Sequence, residues 1–159
     1  MTAAFTPQLR LFARADTPAV VDLFAAEGWR TYTVDRARTA RALSAPGATT
    51  LLALDGAMVV GLIQLQSDGE IQAHLSALLV ATPWRRRGLA RELLRQALER
   101  AGGVHIDVLT RNAAFYESLG GQPRPGFRLT PDQLNLDTTP NAASPRQPPV
   151  ATQPERCKQ

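Results

Sequence analysis

Leu78-Leu79-Val80-Ala81-Thr82-Pro83-Trp84-Arg85-Arg86-Arg87-Gly88-Leu89-Ala90-Arg91 joins an apolar run, a turn and the start of a periodic segment. The run ends at Val80, the turn passes through Pro83, and after Gly88 apolar residues recur at 89, 93 and 97 and at 90, 94, 98 and 101. Such i, i+4 rows predict an amphipathic helix over 88–101, stopped by Gly102-Gly103. A strand, a turn and a helix entry in this order aim several backbone N–H groups at one point. The helix dipole favours an anion there by roughly 0.3–1 kcal/mol at exposed sites. Gly88 lets a backbone approach the anion without a Cβ, Ala90 keeps the next turn uncrowded, and the arginines add charge-assisted bonds.

Working outward, residues 71–80 form a strand preceded by two β-rich runs, 49–54 and 58–66, with Asp55-Gly56 between them as a hairpin signal. Ser67-Asp68-Gly69 is a second turn of that kind, so three consecutive antiparallel strands are expected. Further upstream, a strand over 9–13 leads into a helix with Asp16 or Thr17 as cap, Pro18 in its first turn, and Val20, Val21, Leu23 and Phe24 facing the core. A second helix covers 34–43 and ends before Pro46-Gly47. Downstream come a strand over 104–109, a short helix over 112–119 capped by Asn112 and closed by Gly120, and a last strand including 127–129.

The chain has 159 residues, 44% hydrophobic and 20% charged, which suits one globular core. Residues 1–136 are assigned to a single domain. Residues 137–159 hold five prolines among small polar residues, with Val150 the sole sizeable aliphatic, and are expected to be a disordered tail. No run approaches the roughly 18–20 apolar residues of a membrane span, and residues 1–10 lack a basic stretch followed by an apolar one, so a cytoplasmic protein with no membrane partner is expected. Cys157 is the only cysteine, which excludes a disulfide framework and a Cys-based zinc cluster, and no metal is expected. A net charge of +4 would suit nucleic acid. The chain nevertheless offers no aromatic-studded basic strand, zinc spacing or recognition helix, and nucleic acid is not expected as a partner. Gly-x-Gly-x-x-Gly after the first strand is also absent, against a dinucleotide-binding fold.

Arg85-Arg86-Arg87-Gly88-Leu89-Ala90 resembles the Arg/Gln-x-x-Gly-x-Gly/Ala signature with which the GNAT superfamily of N-acetyltransferases holds the pyrophosphate of acetyl-CoA. Asn112-Ala113-Ala114-Phe115-Tyr116-Glu117-Ser118-Leu119-Gly120 resembles that family's second cofactor segment. The likeness covers residues 9–129 in order of elements and is specific over 74–120. It implies a mixed α/β (α+β) fold: a twisted, mostly antiparallel central sheet with helices on both faces, and a V-shaped cofactor cleft between the strands at 71–80 and 104–109. It also implies that the main chain of Leu78, Leu79 and Val80 pairs with the pantetheine arm. The turn Arg85, Arg86, Arg87, Gly88, Leu89, Ala90 and Arg91 would bind the pyrophosphate, and Asn112 would contact the arm. Two departures stand out: Ala90 replaces the commoner second glycine, and Gly121 stands where an aromatic often follows Leu-Gly.

The implied reaction is transfer of an acetyl group from acetyl-CoA to a primary amine of a small molecule, ahead of a protein, by direct attack. An inactive acyl-CoA-binding sensor of the same fold is the alternative. Tyr116 is the candidate acid, because a phenol of reference pKa about 10 is protonated at neutral pH and can donate to a thiolate. Strict alternation puts His74, Ser76, Leu78 and Val80 on one face of their strand, which makes His74 the candidate proton relay, with Glu70 second. The strand at 73–80 is similar to that of the serotonin N-acetyltransferase branch in its first histidine, with Ser76 at the position of the second. For the acceptor, Trp29 and Tyr32 supply an apolar wall and Glu27 or Asp35 a counter-charge. Family analogy allows a homodimer.

Overall fold

The computed structural model describes residues 7–134, so the tail at 137–159 and Cys157 lie outside the described residues. Tight turns set the sheet. Gly56 adopts φ 58° between the second and third strands, and the Asp68 carboxylate accepts the N–H groups of Glu70, Ile71 and Gln72 at 2.9, 2.8 and 3.1 Å at the next reversal. The result is β1 (Gln8–Leu11), β2 (Ala48–Asp55), β3 (Met58–Ser67) and β4 (Gln72–Val80), antiparallel neighbours in that order. β5 (His105–Val108) joins β4 in parallel.

Helices cover both faces. On one lie α1 (Thr17–Ala26) and α2 (Arg36–Leu43), whose Val20, Leu23, Phe24 and Leu43 pack with Leu52, Leu54, Leu62 and Leu79. On the other lies α3 (Leu89–Ala101), whose Leu89, Leu93, Ala97 and Ala101 meet Leu51, Ile63, Leu65, Leu75 and Val80. Because β2 and β3 are sandwiched, residues 51–54 and 59–65 are buried without a break, and their sequence is continuously apolar apart from Gly61 and Gln64. Gly61 admits α3: a Cβ there would stand 3.2 Å from Leu93 Cδ1. The buried Gln64 and Thr50 satisfy the end of α2, donating to the carbonyls of Ala42 and Leu43 at 2.8 and 2.7 Å.

Three expectations change. Asp16 occupies the cap position of α1 without making a cap bond. Its carboxylate instead accepts two bonds from the Arg10 guanidinium, at 2.6 and 2.8 Å, and the Ala13 N–H at 2.8 Å, which ties β1 to the helix entry. Residues 127–129 form no strand, and Phe127 and Leu129 are 88% and 64% exposed. Their β-prone composition finds no neighbouring strand to pair with, and composition alone does not make a strand.

The third change is a β-bulge. Gln64 pairs with Ala77 and Leu65 with Leu75, which leaves Ser76 as an extra residue on β4 and resets the alternation. Leu75 packs against α3, Ala77 against α1 and α2, then Leu78 and Val80 again against α3. His74, one residue before Leu75, therefore does not share a face with Leu78 and Val80.

Gly56 and Gly102 both have positive φ, 58° and 70°. A Cβ at Gly56 meets nothing within 4 Å, whereas one at Gly102 would come to 2.5 Å from the Gly69 carbonyl oxygen. In urea denaturation, Gly102→Ala is expected to lose at least about 1 kcal/mol more stability than Gly56→Ala. Equal losses would show that the Gly69–Gly102 approach does not constrain the fold.

Candidate active site

β4 is paired to β3 as far as Val80, but to β5 only where residues 72–75 face 105–108. Beyond Leu75 and Val108 the two parallel strands part, and a cleft of about 900 Å³ opens between them. One wall is residues 75–80, with the Ser76 bulge at its deep end. The other is residues 108–112 followed by α4 (Ala113–Glu117), and the turn before α3 forms the mouth. The Thr110 hydroxyl accepts the Asn112 N–H at 2.9 Å and turns the chain out of β5.

At the mouth, Pro83 sits in a 3-10 turn over Thr82–Trp84, after which Arg86 takes φ 63° and Gly88 φ 81° as the N-cap of α3. An arginine in the left-handed region costs of order 1 kcal/mol and persists only where its surroundings hold it. They do so here. The Arg85 Nε donates to the Val80 carbonyl at 2.9 Å, and its terminal nitrogen is bonded to Glu27 Oε2. The other oxygen of Glu27 accepts the Thr82 N–H at 3.2 Å and the Thr82 hydroxyl at 3.4 Å. The left-handed Arg86, the glycine cap and the first turn of the 13-residue α3 leave backbone N–H groups without a capping side chain at the mouth, an arrangement that suits an anion.

The cleft brings together most of the residues singled out in the sequence. Leu78, Leu79, Val80, Arg85, Arg86, Gly88, Leu89, Ala90, Arg91, Asn112, Tyr116, Glu27 and Trp29 all line it. Arg87 does not, nor does His74, which the bulge turns toward a separate shallow cavity lined by residues 45–48, Gln66 and Gln72. Tyr32 is also outside. Its ring stacks on Phe24 at 4.2 Å and 6° within the α1–α2 core, and burial pushes its phenol up, partly opposed by Arg128. Asn112 stands at the N-cap of α4 but its side chain makes no cap bond.

Tyr116 is half-buried, with Phe115 edge-on at 5.0 Å, and burial raises its pKa above the ordinary phenol value. α4 ends with Gly120 at φ 86° and the Gly121 N–H bonded to the Tyr116 carbonyl at 3.0 Å. A Cβ at Gly121 would stand 2.9 Å from that oxygen, which accounts for glycine at this position. Sequence reasoning gave no role to Thr82 or Phe115, and it placed Ser76 in a regular alternation where the strand has a bulge. Among the described residues, no helix is long and apolar enough to cross a membrane, and no group of three His, Cys, Asp or Glu side chains could hold a metal ion.

Residues 15–122 match the family model described as an acetyltransferase (GNAT) domain. Among solved structures, a provisionally named acetyltransferase from Deinococcus radiodurans is 27% identical, covers 82% of this chain and 92% of its own, and gives a TM-score of 0.66. Another, from Agrobacterium tumefaciens, is 25% identical with coverage of 77% and 99% and a TM-score of 0.66. AAC(6')-Iy, solved with the bisubstrate analogue CoA-S-monomethyl-acetylneamine, shares the fold at 14% identity, with coverage of 79% and 99% and a TM-score of 0.66. No curated protein matches the chain in sequence. Since the family match spans both walls of the cleft and the arginine turn at its mouth, this chain belongs to the GNAT family of acetyltransferases.

Proposed function

We propose that the chain transfers the acetyl group of acetyl-CoA to the primary amine of a small molecule, by direct attack. The observation that carries this reading is the meeting, in one cleft, of a turn suited to an anion, an unpaired strand edge and a half-buried phenol. The family uses acetyl-CoA, and the chemistry of this cleft suits it. The N–H groups at the start of α3, with Arg86 and Arg91, would hold the pyrophosphate. The β4 edge beyond Leu75, which β5 does not pair, would bond the amides of the pantetheine arm, with Asn112 opposite.

In the reaction, the amine nitrogen bonds to the thioester carbonyl carbon as the C–S bond breaks, and the Tyr116 hydroxyl gives its proton to the departing sulfur. The raised pKa of Tyr116 keeps that proton in place through neutral and mildly basic pH. Trp29, 37% exposed, offers an apolar wall to the body of the acceptor. Glu27, the only carboxylate among the described lining residues, is already bonded to Arg85 and Thr82, and no histidine lines the cleft. The amine accordingly enters neutral, having lost its proton to solvent.

Thiol release measured across a panel of primary amines tests the reading. Turnover with a small amine supports it, whereas acetyl-CoA binding without turnover on any amine would favour the sensor. Tyr116→Phe should lower kcat by roughly 10²–10⁴-fold and leave acetyl-CoA affinity unchanged; an unchanged kcat removes Tyr116 from the mechanism. In the wild type, kcat/KM should rise with pH as the free-amine fraction grows. It should show no descending limb below about pH 10, since a phenol with raised pKa ionises only above that reference value. A limb near pH 8 would point to another acid. Arg86→Gly should relieve the left-handed strain, raising stability by up to about 1 kcal/mol while weakening acetyl-CoA binding; lower stability would show that Arg86 is unstrained.

A further inference from the structure

The structure assigns Glu27 a positioning role: from the end of α1 it organises the anion-binding turn through Arg85 and Thr82. The inference rests on the acetyl-CoA reading of that turn. Glu27 was expected to meet the acceptor amine, yet its side chain is only 12% exposed and its carboxylate is engaged at both oxygens. These bonds reach across 55 and 58 positions of sequence, from the helix on one face of the sheet to the turn that leads to the helix on the other. With Arg85 Nε on the Val80 carbonyl, they close a ring that runs from the end of β4 to Arg85, Glu27 and Thr82. Arg86, held at φ 63°, is the next residue after this ring.

A left-handed arginine needs its neighbours fixed, and the ring fixes the residue immediately before it. The charge logic agrees. Glu27 neutralises Arg85, so that Arg85 serves as a strut and anion attraction is left to the N–H groups, Arg86 and Arg91. A carboxylate placed to bind the acceptor would instead present an oxygen without a protein donor.

Hydrogen exchange of the unliganded protein tests the ring without any cofactor. Glu27→Gln should speed exchange in peptides covering 81–91 and leave those over β2 and β3 unchanged, and Arg85→Gln should reproduce the pattern from the other end. Unchanged exchange at 81–91 in both variants would overturn the inference even in a fully active protein. Calorimetric titration of acetyl-CoA provides the second reading. Glu27→Gln should raise Kd roughly 3- to 30-fold, with the double variant no weaker than Arg85→Gln alone, because the two act as one unit. At saturating acetyl-CoA, the acceptor KM of Glu27→Gln should match the wild type. Tighter acetyl-CoA binding would mean that Glu27 competes with the pyrophosphate for Arg85. A raised acceptor KM with unchanged Kd would return the carboxylate to the acceptor. Either result overturns the positioning role. Absence of acetyl-CoA binding in the wild type would fall on the functional reading, with the exchange result still deciding whether the ring holds the turn.

Discussion

Two parallel strands that pair over four residues and then part create the working space of this protein. Backbone N–H and C=O groups inside a domain seek partners, and leaving them unmade in a buried place costs about 1–3 kcal/mol each. The edge of β4 beyond Leu75 is tolerable because it faces a cleft open to water and to a ligand that can bond an extended chain. β3 holds β4 straight as far as Val80 from the other side, and two packed helical faces hold β3. The pairing of β4 with β5 thus ends where the cleft begins.

The mouth of the cleft has a different economy. A proline-bearing 3-10 turn, a left-handed arginine and a glycine cap deliver the chain into α3 with its first N–H groups uncommitted to a capping side chain. Such a turn would relax if left alone. Bonds to Val80 on one side and to Glu27 on the other brace it, so in the proposed role the anion would depend on the end of α1 although no residue of α1 itself (Thr17–Ala26) need touch it. On that reading a single carboxylate connects the end of α1 to the turn before α3.

Much of this was legible before any coordinates. Asp55-Gly56 and Ser67-Asp68-Gly69 announced the hairpins, and the 89/93/97 row of α3 is the row that packs on the sheet, with Gly88 and Gly102 at its ends. The turn before α3, Asn112 and Tyr116 were singled out by local motifs, and the structure brings them to one cleft. The placements that changed share a different cause. His74 was misplaced because one extra residue, Ser76, inverts the alternation on which its face was inferred, and a bulge depends on the partner strand. Glu27 looked like a free counter-charge because Arg85 lies 58 positions away. Tyr32 looked like a cleft wall because nothing nearby in sequence shows that Phe24 takes its ring. Residues 127–129 have the composition of a strand but no strand beside them.

The central claim is that the turn before α3 holds the pyrophosphate of acetyl-CoA, and one calorimetric comparison addresses it. Acetyl-CoA is titrated into the wild type and into Gly88→Glu, where a Cβ meets nothing within 4 Å, the φ of 81° strains any side chain, and the new carboxylate would confront the anion. The account predicts saturable binding to the wild type that is lost in a variant still folded by circular dichroism. Equal binding by both proteins would place the cofactor elsewhere, and no binding by folded wild type would contradict the account at its root.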